Sequence, residues 1–311
     1  MISKHSRYTA DINLRGVNDT HTLAIGRVPA NSRVLDLGVA DGSVAAVLKE
    51  MGCRVWGVEF EIEAAQEAEK NCEEVVVGDL NTLDLADRLS NREFDVILML
   101  DVLEHLANPA ETLRRLKPLV AQGGWGVISL PNVAHVSLRL SLLNGDFNYT
   151  DTGLLDRTHL RFYDRAGVDE LLEEAGWAMF DLARVTRRLG TTEIQINDPD
   201  PDLVAALQSD IEGLTYQFVI SVAPLGSPVL ELPPVLPAAV AQDELCKALV
   251  RIGELDEEVE QLRRRHIPDL VEQLSAIRSN SLVRRGHLKH LLATLQENSE
   301  RLSNQRQGSS G

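Results

Sequence analysis

A chain of 311 residues with 44% hydrophobic and 25% charged side chains has room for one large α/β domain and an appendage. Its formal charge of −16 is concentrated in residues 1–225, where 20 Lys/Arg face 35 Asp/Glu, an acidity that argues against nucleic acid as a partner. No apolar run approaches the ~20 residues that cross a bilayer, so no transmembrane segment is expected. The amino terminus lacks a secretory apolar core, and Cys53, Cys72 and Cys246 show no metal-ligand spacing, so the expected setting is a reducing, cytoplasmic one with the cysteines as packing residues.

From residue 33 onward short apolar runs alternate with helical patterns. "RVLDL" precedes "VAAVLKEM", "RVWGVEF" precedes "IEAAQEAEK", "EEVVVGDL" follows, and "FDVILML" precedes "PAETLRRLKPLV" and then "GGWGVISL". The alternation predicts a parallel sheet with crossover helices. An amphipathic helix over 165–175, closed by Gly176, leads to two further strand-like runs, "WAMFDLARVTRR" and "TYQFVISVAP", so the first domain is expected to span 1–225. Residues 226–240 read as a Pro-rich linker. Beyond it Leu245, Ala248, Ile252, Leu255, Val259 and Leu262 form a heptad seam, broken at Pro268 and resumed by Leu270, Leu274 and Ile277, then Leu288, Leu291 and Leu295. A helical coiled-coil tail over 241–306 and a small polar, disordered end at 307–311 complete the expected organisation.

The stretch "VLDLGVADGSVAAVLKEMG" reads as a buried strand, a glycine-rich turn and the opening of a helix, the arrangement by which a chain usually cradles a cofactor. The turn Gly38-Val39-Ala40-Asp41-Gly42-Ser43 matches neither the dinucleotide pattern nor the P-loop, and the first basic side chain after it is Lys49. Asp36 and Asp41 would repel an anion and favour a ligand with a cationic group. Glu59, ending the second strand, can accept from both hydroxyls of a ribose, and Asp79, after the third, is placed for an exocyclic amine. A ribose, an amine-bearing base and a cationic amino-acid end together describe S-adenosylmethionine.

In these residues the chain resembles the class I S-adenosylmethionine-dependent methyltransferases over residues 30–225. The family's glycine-rich turn corresponds to Asp36, Gly38, Ala40 and Gly42, and its ribose and adenine positions fall on Glu59 and Asp79, with Leu80 beside them. The resemblance implies a Rossmann-like seven-stranded sheet with flanking helices. Ala40 stands where the family has a glycine, so the expectation is a negative φ there and room for a methyl group. Tyr8 and Arg15 lie in an amino-terminal segment that often folds over the cofactor in this family.

After the fourth strand, Asp101, Glu104 and His105 stand at i, i+3 and i+4, so a helical turn would align them. Three readings are open. Asp101 and Glu104 form a capping box while His105 packs on the sheet; His105 or Asp101 is a general base; or the three hold a divalent metal, since some quinone and RNA-end methyltransferases carry Glu-x-x-Glu-His there. The segment 132–163, too long for a simple loop, packs His135, Arg139, Arg157, His159 and Arg161 among Tyr149, Phe162 and Tyr163. It reads either as a lid whose arginines pair with aspartates such as Asp151 and Asp156, or as an acceptor pocket with His135 and His159 as its histidines.

"PNVAH" followed by "LLDRTHLRFY" looks like a subgroup of these methyltransferases associated with polysaccharide and glycolipid biosynthesis, and is also similar to quinone-ring O-methyltransferases. The expectation is therefore O-methylation of a sugar or glycolipid hydroxyl, with a quinone or other small molecule as the alternative acceptor. A third reading is a non-catalytic scaffold acting through its coiled-coil tail. That tail is expected to form a homo-oligomer or to dock on a glycosyltransferase or membrane assembly.

Overall fold

The computed structural model of the protein describes residues 18–89 and 92–227. Tyr8, Arg15, Cys246, most of the Pro-rich linker and the predicted coiled coil over 241–306 lie outside the described residues.

Seven strands form one sheet: β1 (Arg33–Leu37), β2 (Arg54–Glu59), β3 (Glu74–Val77), β4 (Phe94–Leu100), β5 (Val120–Pro131), β6 (Trp177–Thr186) and β7 (Thr215–Pro224), in the order β3-β2-β1-β4-β5-β7-β6. The first five pair in parallel, while β7 runs antiparallel between β5 and β6. The helices are α1 (Thr20–Ile25), α2 (Ser43–Glu50), α3 (Ile62–Ala68), α4 (Leu85–Arg88), α5 (Pro109–Leu116), α6 (Val136–Leu143), α7 (Arg165–Ala175), α8 (Pro201–Gln208) and α9 (Ile211–Leu214). Every strand run anticipated from the sequence is present, and so is the 165–175 helix, which ends at Gly176 in the left-handed conformation (φ 66°).

The strands read as continuous apolar runs because helices cover both faces of the sheet. Side chains alternate with the two-residue period of a strand. Leu35, Leu37, Ile97 and Met99 enter one buried layer with Leu113 and Leu116 of α5 and Leu171 and Leu172 of α7. Val34, Val96 and Leu98 enter the opposite layer with Leu23 of α1, Ala45 and Leu48 of α2 and Ala68 of α3. At ~25 cal/mol per Å² of apolar surface removed from water, these two layers supply most of the fold's stabilisation. Cys53 is buried and Cys72 half-buried, neither in a disulfide.

The strand order reverses between β1 and β4, the place where open α/β sheets bind ligands outside the carboxyl ends of their strands. Among the described residues no helix is long and apolar enough to cross a membrane.

Candidate active site

A cleft of about 600 Å³ opens at this switch point. Its walls are the turn after β1, the ends of β2 and β3, and the segment after β4, and they include Asp36, Gly38, Ala40, Asp41, Glu59, Asp79, Leu80, Asp101 and His105. The cofactor residues expected from the sequence, Gly42 apart, thus line one cavity. Gly42 shapes the turn from behind: its φ is 79°, and a Cβ there would stand 2.8 Å from the Cα of Ala68 on α3. Asp41 caps locally, its Oδ1 accepting from the backbone N–H of Ser43 at 3.1 Å and from the Ser43 hydroxyl at 2.6 Å.

Ala40 corrects one expectation. Its φ is +50°, so the alanine adopts the left-handed backbone of the glycine it replaces instead of a negative φ. The physical reason is Glu59, whose Oε2 accepts from the Ala40 N–H at 2.9 Å while Oε1 accepts from Phe60 N and Glu61 N at 2.8 and 2.9 Å. The carboxylate therefore ties the turn to the tip of β2 and holds a conformation that costs an L-residue about 1 kcal/mol.

The electrostatics of the cleft fit a cation. Asp36, 3% exposed at the floor, has its carboxyl pushed up to about 7 by burial and by the neighbouring Glu59 charge. A sulfonium or ammonium group would relieve that cost, whereas a phosphate would raise it. Asp79 is fixed through Oδ1 by Asn81, whose backbone N–H and Nδ2 donate at 2.9 and 2.8 Å. Sequence reasoning missed His21 on α1 and Phe60, which also line the cleft. Only their place beside a folded sheet edge marks them.

The segment after β4 departs from the expected helical turn. Asp101 has a φ of +55° and precedes a 3-10 turn over Leu103–His105 that carries no side-chain cap. Asp101 and Glu104 therefore form no capping box, because the left-handed residue points its carboxylate back toward the sheet. Its Oδ1 accepts from Ser129 Oγ at 2.7 Å and from Gln217 Nε2. The helical alignment of Asp101 with Glu104 and His105 is likewise absent. The fold instead brings His159 beside Glu104 and His105, with one ligand atom from each lying within 4.8 Å of the others.

Glu104 is 1% exposed, and neither carboxylate oxygen has a hydrogen-bond partner. Burial, and secondarily the Asp101 charge, holds its carboxyl well above the usual range. Its backbone carbonyl accepts from Leu160 N and Arg161 N at 2.8 and 3.0 Å, which fixes the His159 segment against the turn. His105, half-exposed instead of packed on the sheet, meets the Thr158 carbonyl through Nδ1 at 3.2 Å. The two imidazoles stand edge to face at 4.8 Å, and burial together with His105 lowers the pKa of His159. An orphaned buried carboxylate facing two imidazoles is a donor set that fits a divalent cation.

His135 stands apart. It is 0% exposed, caps α6 by accepting from Ser137 N at 3.2 Å, and meets the Arg187 carbonyl through Nε2 at 2.9 Å. Both ring nitrogens are thus committed to the frame, and an acceptor contact by His135 finds no support in this geometry. The arginines of the insertion are engaged as a lid's would be. Arg157 pairs with Asp151 at 2.8 Å, Arg139 with Asp210 at 3.5 Å, and Arg161 donates to the Ala107 carbonyl at 2.7 Å. Asp156, expected to pair with an arginine, accepts instead from Thr158 N and Oγ1 at 2.8 and 2.6 Å.

Residues 11–182, more than half of the chain, match the family model described as a methyltransferase domain. A ubiquinone biosynthesis O-methyltransferase of Albidiferax ferrireducens is 27% identical over 122 residues, which cover 38% of this chain and about half (48%) of that relative. A protein of the same name from Burkholderia thailandensis is 23% identical over 218 residues, 67% of this chain and 93% of the relative. An S-adenosylmethionine-dependent methyltransferase of Thermotoga maritima superposes with a TM-score of 0.46 at 19% identity, over 66% of this chain and 87% of that one. With an acidic cleft at the switch point of a seven-stranded sheet, the chain belongs to the methyltransferase domain family and is an enzyme that uses S-adenosylmethionine.

Proposed function

We propose that this methyltransferase O-methylates a hydroxyl on an aromatic ring of the quinol or phenol class. The observation that carries the reading is a run of rings leading away from the cofactor cleft. His105 lines the cleft, His159 stands 4.8 Å from it, Phe162 lies 6.2 Å from His159, and Phe147 lies 6.1 Å from Phe162, all in edge-to-face geometry. Such a row of rings beside the cleft favours a flat, apolar acceptor over a polyhydroxylated sugar. The curated relatives reported above, both named for ubiquinone biosynthesis, support the same choice. The sugar or glycolipid acceptor expected from the sequence has no comparable support, and membership of an enzyme family favours catalysis over the scaffold reading.

S-adenosylmethionine supplies an electrophilic methyl group on sulfur. The chain's residues do the rest. Asp36, Glu59 and Asp79 hold the donor, and the cleft wall at Leu100, Val102 and Leu106 keeps water from its reactive end. As the carbon–sulfur bond breaks and the carbon–oxygen bond forms, the hydroxyl proton passes to an imidazole of the His105–His159 pair, with His159 kept neutral and ready to accept. With a divalent cation bound, Glu104, His105 and His159 would be its ligands instead of proton acceptors, and its Lewis acidity would favour the ionised acceptor oxygen.

The test incubates the full chain with S-adenosylmethionine and magnesium against a panel of dihydroxyphenyl compounds and nucleotide sugars, read by mass spectrometry. Ring methyl ethers lost in His159→Ala support the proposal. Methylation confined to sugar hydroxyls overturns it.

A further inference from the structure

We infer that Gln217 is a positioning residue for the cofactor site, fixing which oxygen of Asp101 faces the cationic end of S-adenosylmethionine. The inference rests on the cofactor assignment and extends it to a strand that does not border the cleft. Glu59 and Asp79 occupy the β2 and β3 side of the cavity, where a ribose and a base are held, so the amino-acid end with its sulfonium lies over β1 and β4. There Asp36 and Asp101 supply the negative charge.

Asp101 is a non-glycine residue at φ +55°, a conformation that persists only where surrounding contacts impose it. Three contacts do so. Asp101 N–H donates to Ser129 Oγ at 2.9 Å, the same hydroxyl donates back to Oδ1 at 2.7 Å, and Gln217 Nε2 donates to Oδ1 as well. The orientation of the Gln217 amide is itself set, because its Oε1 accepts from the hydroxyl of Thr20 on α1. A flipped amide would oppose oxygen to oxygen at Asp101. Oδ1 thus takes every side-chain hydrogen bond of this carboxylate among the described residues, and Oδ2 is left for the cleft.

Thr20, Ser129 and Gln217 are all buried, and Val127 and Val219, two residues from Ser129 and Gln217 along their strands, belong to the buried apolar layer on that face of the sheet. An apolar side chain at 217 would leave the buried Thr20 hydroxyl without its acceptor, a stability cost that by itself does not account for an amide aimed at Asp101. The Gln217 amide nitrogen donates to Asp101 Oδ1 and, at 3.4 Å, to Ser129 Oγ, the hydroxyl that itself holds Asp101. The role assigned to Gln217 is therefore indirect and acts wholly through that carboxylate.

The experiment is a double-mutant cycle on the full chain, with the dissociation constant for S-adenosylmethionine measured by calorimetry and melting temperatures recorded without ligand. Asp101→Asn and Gln217→Met are each expected to weaken binding about tenfold, the scale of one lost charge-assisted hydrogen bond. The double variant should bind no more weakly than Asp101→Asn alone. Thr20→Val, which releases the amide without touching Asp101, should weaken binding in the same direction by a smaller factor, and it serves as the test if Gln217→Met does not fold. Gln217→Met binding within twofold of wild type, an effect that adds in full to Asp101→Asn, or unchanged affinity in Asp101→Asn would each overturn the inference. A wild-type chain that binds no S-adenosylmethionine, by contrast, would overturn the cofactor assignment itself.

Discussion

Replacing Asp36 with asparagine keeps the shape of the cleft floor and removes its buried charge. The carboxyl titrates at about 7 in the folded chain against 3.8 unperturbed, a difference of roughly 4 kcal/mol at 1.36 kcal/mol per pKa unit. Because the folded pKa lies above the unfolded one, the wild-type chain carries no penalty below pH ~4, loses stability steadily as pH rises through the folded pKa, and levels off above it. Asp36→Asn has no such titration, so its stability gain over wild type should grow from near zero at pH 4 to about 4 kcal/mol at pH 8. Binding should move the other way. The variant loses the counter-charge for the cationic ligand and should bind S-adenosylmethionine ~10- to 100-fold more weakly at pH 8. Urea denaturation of both proteins at intervals from pH 4 to 8.5, with calorimetric titration at pH 8, measures both effects. A stability gap independent of pH would refute the argument that burial and Glu59 hold this carboxyl neutral, and a more stable variant with undiminished affinity would refute its role toward the cation.

Glu59→Ala should weaken S-adenosylmethionine binding by ~1–3 kcal/mol, since it removes both the ribose partner and the tie to Ala40; unchanged affinity in a calorimetric titration would exclude the ribose role. Ala40→Gly should stabilise the chain by about 1 kcal/mol in urea denaturation by relieving the positive φ, and a loss of stability would show that the methyl group makes a compensating contact. His135→Ala should cost ~1–3 kcal/mol of stability, because it removes the α6 cap and leaves the Arg187 carbonyl without its partner, with activity per folded molecule retained. A stable His135→Ala protein without activity would return that histidine to the chemistry.

Local patterns carried the sheet strands, the helix closed by Gly176, and the residues Asp36, Gly38, Glu59 and Asp79 that line the cleft, because each depends on near neighbours in the chain. Periodicity sets which face of a strand is buried, and a glycine-rich turn at a strand end is legible within ten residues. Sequence spacing misled where a distant contact decided the backbone. Asp101 with Glu104 three residues later reads as a capping box, yet Ser129 and Gln217, 28 and 116 residues away, pull Asp101 into the left-handed region and abolish it. Ala40 keeps a glycine's conformation because of Glu59, 19 residues on. His135 and His159 look equivalent in the insertion, and only tertiary packing separates them: one is spent on the Arg187 carbonyl and its own helix cap, the other is set against Glu104 and His105. The placement of β7 between β5 and β6, which delivers Gln217 to the site, leaves no local trace, since strand order is fixed by long-range pairing that no short stretch encodes. The sequence by itself thus determined the cofactor and the strands that build the sheet, while the tertiary structure decided their order, which charged side chains meet at the acceptor side and which merely hold the frame, because those choices rest on contacts between residues far apart in the chain.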